Sequence, residues 1–394
     1  MISERQLFLN YVAQTSSSPM MLEIDRAEGI YLISRDGKKY IDLISGISVS
    51  NLGHSHPAVI KAINEQVAKH MHLMVYGEYV QTPQVKYASL LTQQLPDTLN
   101  NVYFVNSGSE AIEGALKLAK RFTGRSEIVS FKNAYHGSTH GALSVMGNEE
   151  FKNSFRPLVP GVKFLEFNKG ADIENITKST ACVIIEPVQG EAGIVLPIEG
   201  YLQKIKQRCD EVGALLIFDE IQTGFGRTGK LFAFEQYNVV PDVFTIAKAM
   251  GGGLPIGAFV SSQEIMSVFK SNPTLGHITT FGGNPVSCAA ALASLSTLLD
   301  EKIIESVPAK EKLLRSLLIH KKIKEVRGKG LFFAVDLGDA DLVQKLIQEL
   351  LSGGIVVDWF LFDSKSIRIA PPLILSDDQI YTACSKILKV LDSI

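Results

Sequence analysis

Residues 215–253 of the chain read LLIFDEIQTGFGRTGKLFAFEQYNVVPDVFTIAKAMGGG, and their pattern is the most informative part of the sequence about the fold. It contains most of one short apolar run, residues 214–218, and the whole of another, 243–246, with Asp219 and Lys248 just beyond them. Apolar runs without polar alternation are typical of strands that helices bury on both faces of a parallel sheet. Ligands bind such sheets at the carboxyl ends of the strands. The stretch therefore predicts a buried parallel sheet with Asp219 and Lys248 at its ligand-binding edge.

The alternation of strand-like and helix-like segments continues on both sides of this stretch. Further apolar runs lie at residues 102–105, 128–131, 181–185 and 258–260, and helical periodicity covers residues 111–121 and 200–212. Strands that alternate with helices in this way favour an α/β domain, in which helices flank a mostly parallel central sheet. No linker, low-complexity tract or repeat interrupts the pattern.

The two ends of the chain predict a second, smaller domain. Polar and apolar residues alternate over residues 20–43, where Asp36-Gly37 predicts a hairpin turn because both positions tolerate positive φ. Helices are predicted over residues 58–70, 286–299, 309–320 and 342–353 and at the C-terminus, with a strand over residues 331–337. We therefore predict a large α/β domain of residues 53–285 and a smaller α+β domain built from residues 1–52 and 286–394.

The composition excludes several classes of protein. The chain of 394 residues carries 39 Lys and Arg against 41 Asp and Glu, and this net charge of −2 gives no bulk electrostatic reason to expect nucleic-acid or anionic-membrane binding. No run approaches the roughly 18 apolar residues of a membrane helix, and residues 1–8 lead into no apolar segment of a secretory signal. The four cysteines stand far apart and are expected to be reduced and mostly buried, without a disulfide or metal site. The sequence predicts a cytoplasmic globular protein with no nucleic-acid or membrane partner.

Four polar segments follow predicted strands, and each is ambiguous by itself. The small residues of Asn106-Ser107-Gly108-Ser109 would let a phosphate approach the free N–H groups of a helix start, although Ser107 could be an ordinary helix cap. Asp219 is placed to hold a positive charge, but carboxylates at strand ends also cap helices or bind magnesium.

The third and fourth segments contain Lys248 and the pair Tyr135-His136. A lysine that ends an apolar strand is costly to bury unless it is paired, deprotonated or covalently modified, though its amine could also extend to the surface. A tyrosine and a histidine after a strand are by themselves typical of a packed aromatic ring and a satisfied imidazole.

Together, the four segments supply the parts that pyridoxal phosphate requires. That cofactor needs an amine for a Schiff base, a carboxylate that keeps the pyridine nitrogen protonated, a phosphate anchor and a flat face for stacking. The combination therefore favours a site for this cofactor over four unrelated structural features.

The sequence resembles the class III pyridoxal-phosphate aminotransferases of fold type I, the family of ornithine, acetylornithine and ω-amino acid aminotransferases. The resemblance runs from residues 42–63, DLISGISVSNLGHSHPAVIKAI, to Arg368-Ile369-Ala370-Pro371-Pro372-Leu373, and residues 215–253 are its most specific part. It implies the fold of that family, a large domain with a smaller α+β domain, and a transaminase activity.

The resemblance also implies a role for each residue of the cofactor site. Lys248 would be the Schiff-base lysine and, once released, the base that moves the substrate proton, while Asp219 would face the pyridine nitrogen. The other implied cofactor-binding residues are Gln222 near the ring hydroxyl, Ser107, Gly108 and Ser109 in the phosphate cradle, Tyr135 stacked on the ring, and His136, which accompanies it without a role derived from the sequence. Thr280 would reach the phosphate of the neighbouring subunit, which implies a homodimer with shared active sites.

In the family that the sequence resembles, substrate recognition depends on a glutamate and an arginine at the positions of Glu191 and Arg368. The pair would stay closed when an ω-amine binds and would open to free the arginine for the carboxylate of 2-oxoglutarate. Both residues are present, so the resemblance implies a ping-pong transfer from an ω-amino acid or diamine to 2-oxoglutarate. Glu186 is expected to be a supporting residue.

One position departs from the family pattern. Ornithine and acetylornithine members usually carry an arginine after the aromatic-X-Gly motif, where it holds a distal carboxylate of the substrate, and here Ser138 follows Tyr135-His136-Gly137. A neutral hydroxyl cannot replace a bidentate guanidinium. The departure weakens acetylornithine and 4-aminobutyrate as donors and leaves other ω-amino compounds and diamines open.

The sequence must also be weighed against three other kinds of function. Residues 224–229, GFGRTG, match the GxGxxG fingerprint of a nicotinamide-binding oxidoreductase, but the first glycine of that fingerprint belongs at the turn from strand to helix, and here residues 219–223 intervene. A glutamate-semialdehyde aminomutase or a racemase would use the same cofactor, and Glu191 with Arg368 favours transfer between two molecules instead. A non-catalytic binding scaffold is disfavoured because each cofactor position holds a competent residue.

Overall fold

The computed structural model of the protein describes residues 2–394, in which fifteen β-strands and thirteen α-helices occur. The strands are β1 (Ile24–Glu28), β2 (Tyr31–Ser34), β3 (Lys39–Asp42), β4 (Asn101–Val105), β5 (Glu127–Phe131), β6 (Val162–Leu165), β7 (Thr180–Ile185), β8 (Leu215–Asp219), β9 (Val243–Ile246), β10 (Gly257–Ser261), β11 (Glu325–Lys329), β12 (Phe332–Asp336), β13 (Ile355–Val356), β14 (Asp358–Trp359) and β15 (Ser366–Ile369). The helices are α1 (Glu4–Tyr11), α2 (Ser45–Ser48), α3 (Pro57–Val67), α4 (Thr82–Thr92), α5 (Gly108–Thr123), α6 (His140–Ser144), α7 (Tyr201–Val212), α8 (Phe234–Tyr237), α9 (Gln263–Met266), α10 (Pro285–Asp300), α11 (Val307–Leu317), α12 (Ala340–Ser352) and α13 (Asp377–Ser393).

The central sheet has seven strands in the order β4-β10-β9-β8-β7-β5-β6. Strand β10 runs antiparallel to both of its neighbours, whereas β9, β8, β7, β5 and β6 pair in parallel. Every residue of β7, β8 and β9 is buried, as the apolar runs of the sequence require. The predicted mixed α/β fold with a mostly parallel central sheet is therefore confirmed.

Helix α5 follows strand β4 and packs on the central sheet. The side chain of Ser107 caps its first turn by accepting from the N–H of Glu110, and Gly124 ends it in the left-handed conformation with φ of 70°. The helix packs its apolar face against β9 and β10. The first turn of α5 is thereby fixed next to the end of β4.

The predicted hairpin at Asp36-Gly37 joins β2 to β3, which pair antiparallel with Tyr31 opposite Ile41. Strand β13, from the C-terminal part of the chain, adds to the same sheet by pairing in parallel with β3. A third sheet has the order β11-β12-β15-β14 and lies wholly in the C-terminal part. The two ends of the chain therefore share a sheet, while the domain boundaries at residues 52 and 285 stay a prediction.

The sequence missed several elements. Helix α4 and the edge strand β6 have weak periodicity, and β14 has two residues, so none of them has a pattern that single-sequence reasoning detects. The four cysteines are free and buried. Over the described residues, no helix combines the length and the apolar character that a membrane crossing requires.

Candidate active site

A cavity of about 460 Å³ lies at the carboxyl edge of the central sheet. Eight of the residues singled out from the sequence line it: Ser107, Gly108, Ser109, Tyr135, His136, Asp219, Gln222 and Lys248. They follow or end strands β4, β5, β8 and β9, as the rule for ligand sites in parallel sheets predicts. The structure therefore brings the expected cofactor residues together in one place.

Lys248 stands two residues beyond β9, where the chain turns into a short 3₁₀ helix. Burial lowers the pKa of its amine to about 8, although the negative charges of Glu191 and Asp219 act in the opposite direction. Within residues 2–394 no side chain forms a hydrogen bond or an ion pair with this amine. The side chain thus presents an amine that is readily neutral, which is the form that attacks a carbonyl group.

Asp219, the last residue of β8, is held by three groups. Its Oδ2 lies 2.7 Å from Nδ1 of His136, and its Oδ1 accepts from the N–H of Ile221 at 3.1 Å and faces the hydroxyl of Thr245 at 3.5 Å. Because a carboxylate only accepts, Nδ1 of His136 carries the proton. His136 thereby orients Asp219, a role that the local sequence could not reveal because the two residues are 83 positions apart.

The start of α5 forms a cradle of backbone donors. The hydroxyl of Ser107 accepts from the N–H of Glu110, and the N–H groups of Gly108 and Ser109, two residues that line the cavity, have no partner inside the helix. A Cβ on Gly108 would come within 2.8 Å of the side chain of Ile221. Gly137 also leaves no room for a side chain, because a Cβ there would lie 2.2 Å from the hydroxyl oxygen of Ser109.

Glu191 and Arg368 form a bidentate ion pair next to the cavity. Nη1 and Nη2 of Arg368 each donate to one carboxylate oxygen of Glu191, both at 2.8 Å, and the side chains are 3% and 4% exposed. Although burial acts to raise it, the pKa of Glu191 is lowered because Arg368 stabilises its charge. Nε2 of Gln222, which lines the cavity, also donates to Glu191 at 3.1 Å. Gln222 therefore links the ion pair to the cofactor residues.

A protein-family model described as "Aminotransferase class-III" matches residues 12–391 of the chain. The chain belongs to the class III aminotransferases. It is 41% identical to the acetylornithine aminotransferase of Methanopyrus kandleri, with 92% of each chain covered. It is 40% identical to the acetylornithine aminotransferase of Clostridium acetobutylicum, with 90% of this chain and 92% of that one covered. The predicted enzyme class is thus confirmed.

Solved structures of transaminases share the fold. A transaminase from the marine bacterium Virgibacillus superposes with a TM-score of 0.93 at 28% identity, covering 99% of this chain and 98% of the other. The ornithine aminotransferase of Toxoplasma gondii superposes with a TM-score of 0.91 at 29% identity, covering 100% and 95%. The fold is that of the pyridoxal-phosphate transaminases.

The residues of this class III aminotransferase fit its cofactor, pyridoxal phosphate. Lys248 offers an unpaired amine, α5 offers free backbone donors suited to a phosphate, and Asp219 offers a buried carboxylate suited to a protonated ring nitrogen. Two buried polar atoms near this cavity, Nε2 of His136 and Oε1 of Gln222, have no partner among the described residues. Such orphaned atoms are typical of a site that a polar ligand completes.

Glu186 supports the wall of the cavity. Its two carboxylate oxygens accept from the N–H groups of Tyr135, at 3.0 Å, and Gly190, at 2.9 Å. Burial, helped by the nearby charge of Asp219, raises its pKa. These contacts fix the backbone of Tyr135 and of the turn that leads to Glu191.

Thr280 is the one predicted cofactor residue that the structure does not bring into the cavity. It lies in an exposed segment, while its neighbour Thr279 accepts from the side chain of Asn106. Within the described residues of one chain, no hydrogen bond joins the side chain of Thr280 to another predicted site residue. Its role across a subunit interface stays a prediction.

The GxGxxG match of residues 224–229 is not a nucleotide site. The segment forms a series of turns rather than the start of a helix, and Arg227 in its middle is fully buried. Arg227 donates to the carbonyl oxygens of Leu331 and Pro371 and to the side chain of Asn51. The segment therefore joins distant parts of the chain, and the oxidoreductase interpretation is wrong.

Proposed function

We propose that this aminotransferase moves the amino group of an ω-amino compound to 2-oxoglutarate in two separate half-reactions. The observation that carries the proposal is the buried, bidentate pair of Arg368 and Glu191 beside the cavity of Lys248. An ω-amine brings no carboxylate to this place and leaves the pair intact. An acceptor with a second carboxylate matches the two parallel N–H donors of Arg368 once Glu191 moves away.

Pyridoxal phosphate supplies an aldehyde for the substrate amine and a protonated ring that withdraws electrons from the reacting carbon. Lys248 Nζ takes the proton from the amine-bearing carbon of the substrate and later returns it, for which a pKa near 8 is well matched to neutral pH. Asp219 would face the ring nitrogen and keep it protonated, and His136 holds the Asp219 carboxylate in place. The N–H groups of Gly108 and Ser109 would anchor the phosphate, and the ring of Tyr135 would stack on the cofactor.

The names of the relatives support an ω-amine as the donor, because two of them are acetylornithine aminotransferases and one structural neighbour is an ornithine aminotransferase. The distal part of the donor is less constrained. Ser138 is exposed, its hydroxyl lies 3.3 Å from that of Tyr135, and its N–H donates to Ser109. With no guanidinium at this position, the proposed donors are ω-amines and diamines whose distal group needs no charged partner there.

Steady-state kinetics tests the two half-reactions. With an ω-amine and 2-oxoglutarate varied together, double-reciprocal plots should give parallel lines and glutamate should accumulate. Intersecting lines, or failure of 2-oxoglutarate to accept the amino group, would contradict the proposal. Isomerisation of a single amino compound without an acceptor would instead indicate an aminomutase, and inversion of a stereocentre without transfer would indicate a racemase. A panel of ω-amines, read by the visible absorbance of the bound cofactor, would identify the donor.

The proposal includes a homodimer in which Thr280 serves the partner's site. Thr280 is exposed beside the exposed apolar side chains of Leu275, Ile278 and Phe281, which a second copy would cover. Thr280→Ala should lower the affinity for pyridoxal phosphate, and mixing these chains with Lys248→Ala chains should restore one high-affinity site in each mixed dimer. A monomer in light scattering would contradict this arrangement. The free, buried cysteines support the cytoplasmic location predicted from the sequence.

A further inference from the structure

Arg368 lies between two carboxylates rather than one. Glu191 binds its Nη1 and Nη2 atoms, and Oδ1 of Asp358 lies 3.3 Å from its Nε atom. The Asp358 side chain is 13% exposed. No sequence motif singled out Asp358, because β14 is only two residues long.

The Nε of Arg368 and the Oδ1 of Asp358 are both buried and both without a hydrogen-bond partner. They are close enough to bond, but the guanidinium that Glu191 holds does not present its Nε–H to Asp358 in a suitable direction. A buried donor and a buried acceptor that face each other unpaired are unfavourable. The two atoms are therefore an unused hydrogen-bonding pair, 3.3 Å apart.

The two carboxylates differ in how the backbone holds them. Asp358 on β14 is the direct antiparallel partner of Arg368 on β15, so the sheet register keeps the two side chains together on one face. Glu191 instead lies in an irregular loop after β7, where the sheet register does not fix it and its Oε2 accepts from the N–H of Leu361 at 3.1 Å. Two more groups of the β14 segment hold Arg368 without help from Glu191: the carbonyl oxygen of Trp359 accepts from Nη2 at 3.1 Å, and the ring of Phe360 lies 4.7 Å from the guanidinium carbon.

We propose that Asp358 is a positioning residue for the acceptor: when the acceptor carboxylate displaces Glu191, Asp358 bonds Nε of Arg368 and keeps the Nη edge aimed at the site. This inference rests on the proposed function. In this exchange Glu191 moves away from Arg368 while Asp358 remains beside it. The guanidinium of Arg368 therefore always has a carboxylate next to it. The new bond offsets part of the cost of breaking the buried ion pair.

The charges around Asp358 agree with this exchange. Burial raises the pKa of Asp358 to about 7, and Arg368 opposes that rise while Glu191 and Asp42 add to it. The departure of Glu191 removes one of the two nearby negative charges. Asp358 then holds its own negative charge more easily, at the moment when Arg368 needs a counter-ion.

Binding of glutarate, an unreactive dicarboxylate, to the holoenzyme tests the proposal by calorimetry. Asp358→Ala should weaken glutarate binding about tenfold, the value of one hydrogen bond to a charged group, and the half-reaction with the ω-amine should fall much less. Asp358→Asn keeps an Oδ1 acceptor and should recover part of the affinity. Glu325→Gln is the matched control, because Glu325 is an exposed carboxylate of the same sheet and lies outside the site.

A crystal structure of the glutarate complex gives a second, direct measurement. Nε of Arg368 and Oδ1 of Asp358 should form an aligned hydrogen bond shorter than the present 3.3 Å. Unchanged glutarate binding by Asp358→Ala, equal losses in both half-reactions, or an unaligned Nε in the complex would each overturn the inference. If Asp358→Ala does not fold, Asp358→Asn and the complex decide the matter alone. Should glutarate not bind to the wild type, or bind equally to Arg368→Ala, the proposed function itself fails, and the inference with it.

Discussion

The active site has two halves that are built in different ways. In the cofactor half, Asp219 and Lys248 stand at the ends of neighbouring strands of one sheet, and the cradle of α5 follows another strand of that sheet. In the half that we propose binds the acceptor, called here the acceptor half, Glu191 comes from a loop after that sheet, whereas Arg368 and Asp358 come from a different sheet. Glu191 and Arg368 are 177 residues apart in the chain. The first half follows from sheet topology, and the second depends on how two sheets pack together.

The two halves also differ in charge pairing. Lys248 has no partner and is therefore free to react, while Arg368 and Glu191 satisfy each other in a buried place. Buried ion pairs of this kind are costly to break by removing one member, because the other is left as an uncompensated charge. We infer that changes in the cofactor half affect both half-reactions, whereas changes in the acceptor half affect mainly one.

The largest effect is expected from Lys248→Ala. It should reduce turnover by about 10⁴-fold or more, because both the attacking amine and the base that moves the substrate proton are lost. Glutamate formation measures this loss, and the exposed Lys230→Ala is the matched control. A Lys248→Ala enzyme with the wild-type rate would remove the basis for the cofactor half.

Asp219→Asn is expected to follow, with turnover about 10³-fold lower, because a neutral amide no longer stabilises the protonated ring nitrogen. The loss should be of similar size in the ω-amine and 2-oxoglutarate half-reactions, measured separately by single-turnover absorbance. A loss of rate in only one of the two half-reactions would contradict the inference that the cofactor half serves both.

Arg368→Ala should act on the acceptor half alone. The KM for 2-oxoglutarate should rise by about 10- to 100-fold, as expected for the loss of hydrogen bonds between charged groups, with little change in the ω-amine half-reaction. Arg368→Lys keeps the charge but not the bidentate geometry and should recover only part of the affinity. An effect seen mainly with the amine would refute the gate formed with Glu191.

The smallest effect concerns pH. Because burial lowers the pKa of Lys248 to about 8, the neutral amine that captures pyridoxal phosphate increases as pH rises and levels off above that value. The initial rate at which the cofactor-free protein binds pyridoxal phosphate should therefore increase about fivefold from pH 7 to pH 8 and little beyond pH 9. A rate that continued to rise steeply to pH 10 would mean that Lys248 has the ordinary pKa of an exposed lysine.

Most of the large sheet could be read from the sequence, because buried parallel strands are continuous apolar runs and their ends are recognisable. The helices that begin at Tyr201 and Pro285 also lie within one residue of the predicted bounds, and the helix that begins at Pro57 ends three residues before its predicted end. Elements with weak periodicity, such as α4 and β6, were missed. The resemblance to the class III family supplied Glu191 and Arg368, which look like ordinary charges in the sequence alone.

The apolar runs before Asp219 and Lys248 were enough to predict that these two residues meet at one edge of a sheet, since parallel pairing leaves few other arrangements. Three contacts became visible only in the folded chain: His136 holds Asp219, Gln222 reaches Glu191, and Asp358 pairs with Arg368 across two strands. These contacts join segments far apart in the chain. Their partners are set by sheet register and by the packing of one sheet against another, and neither of these leaves a local pattern in the sequence.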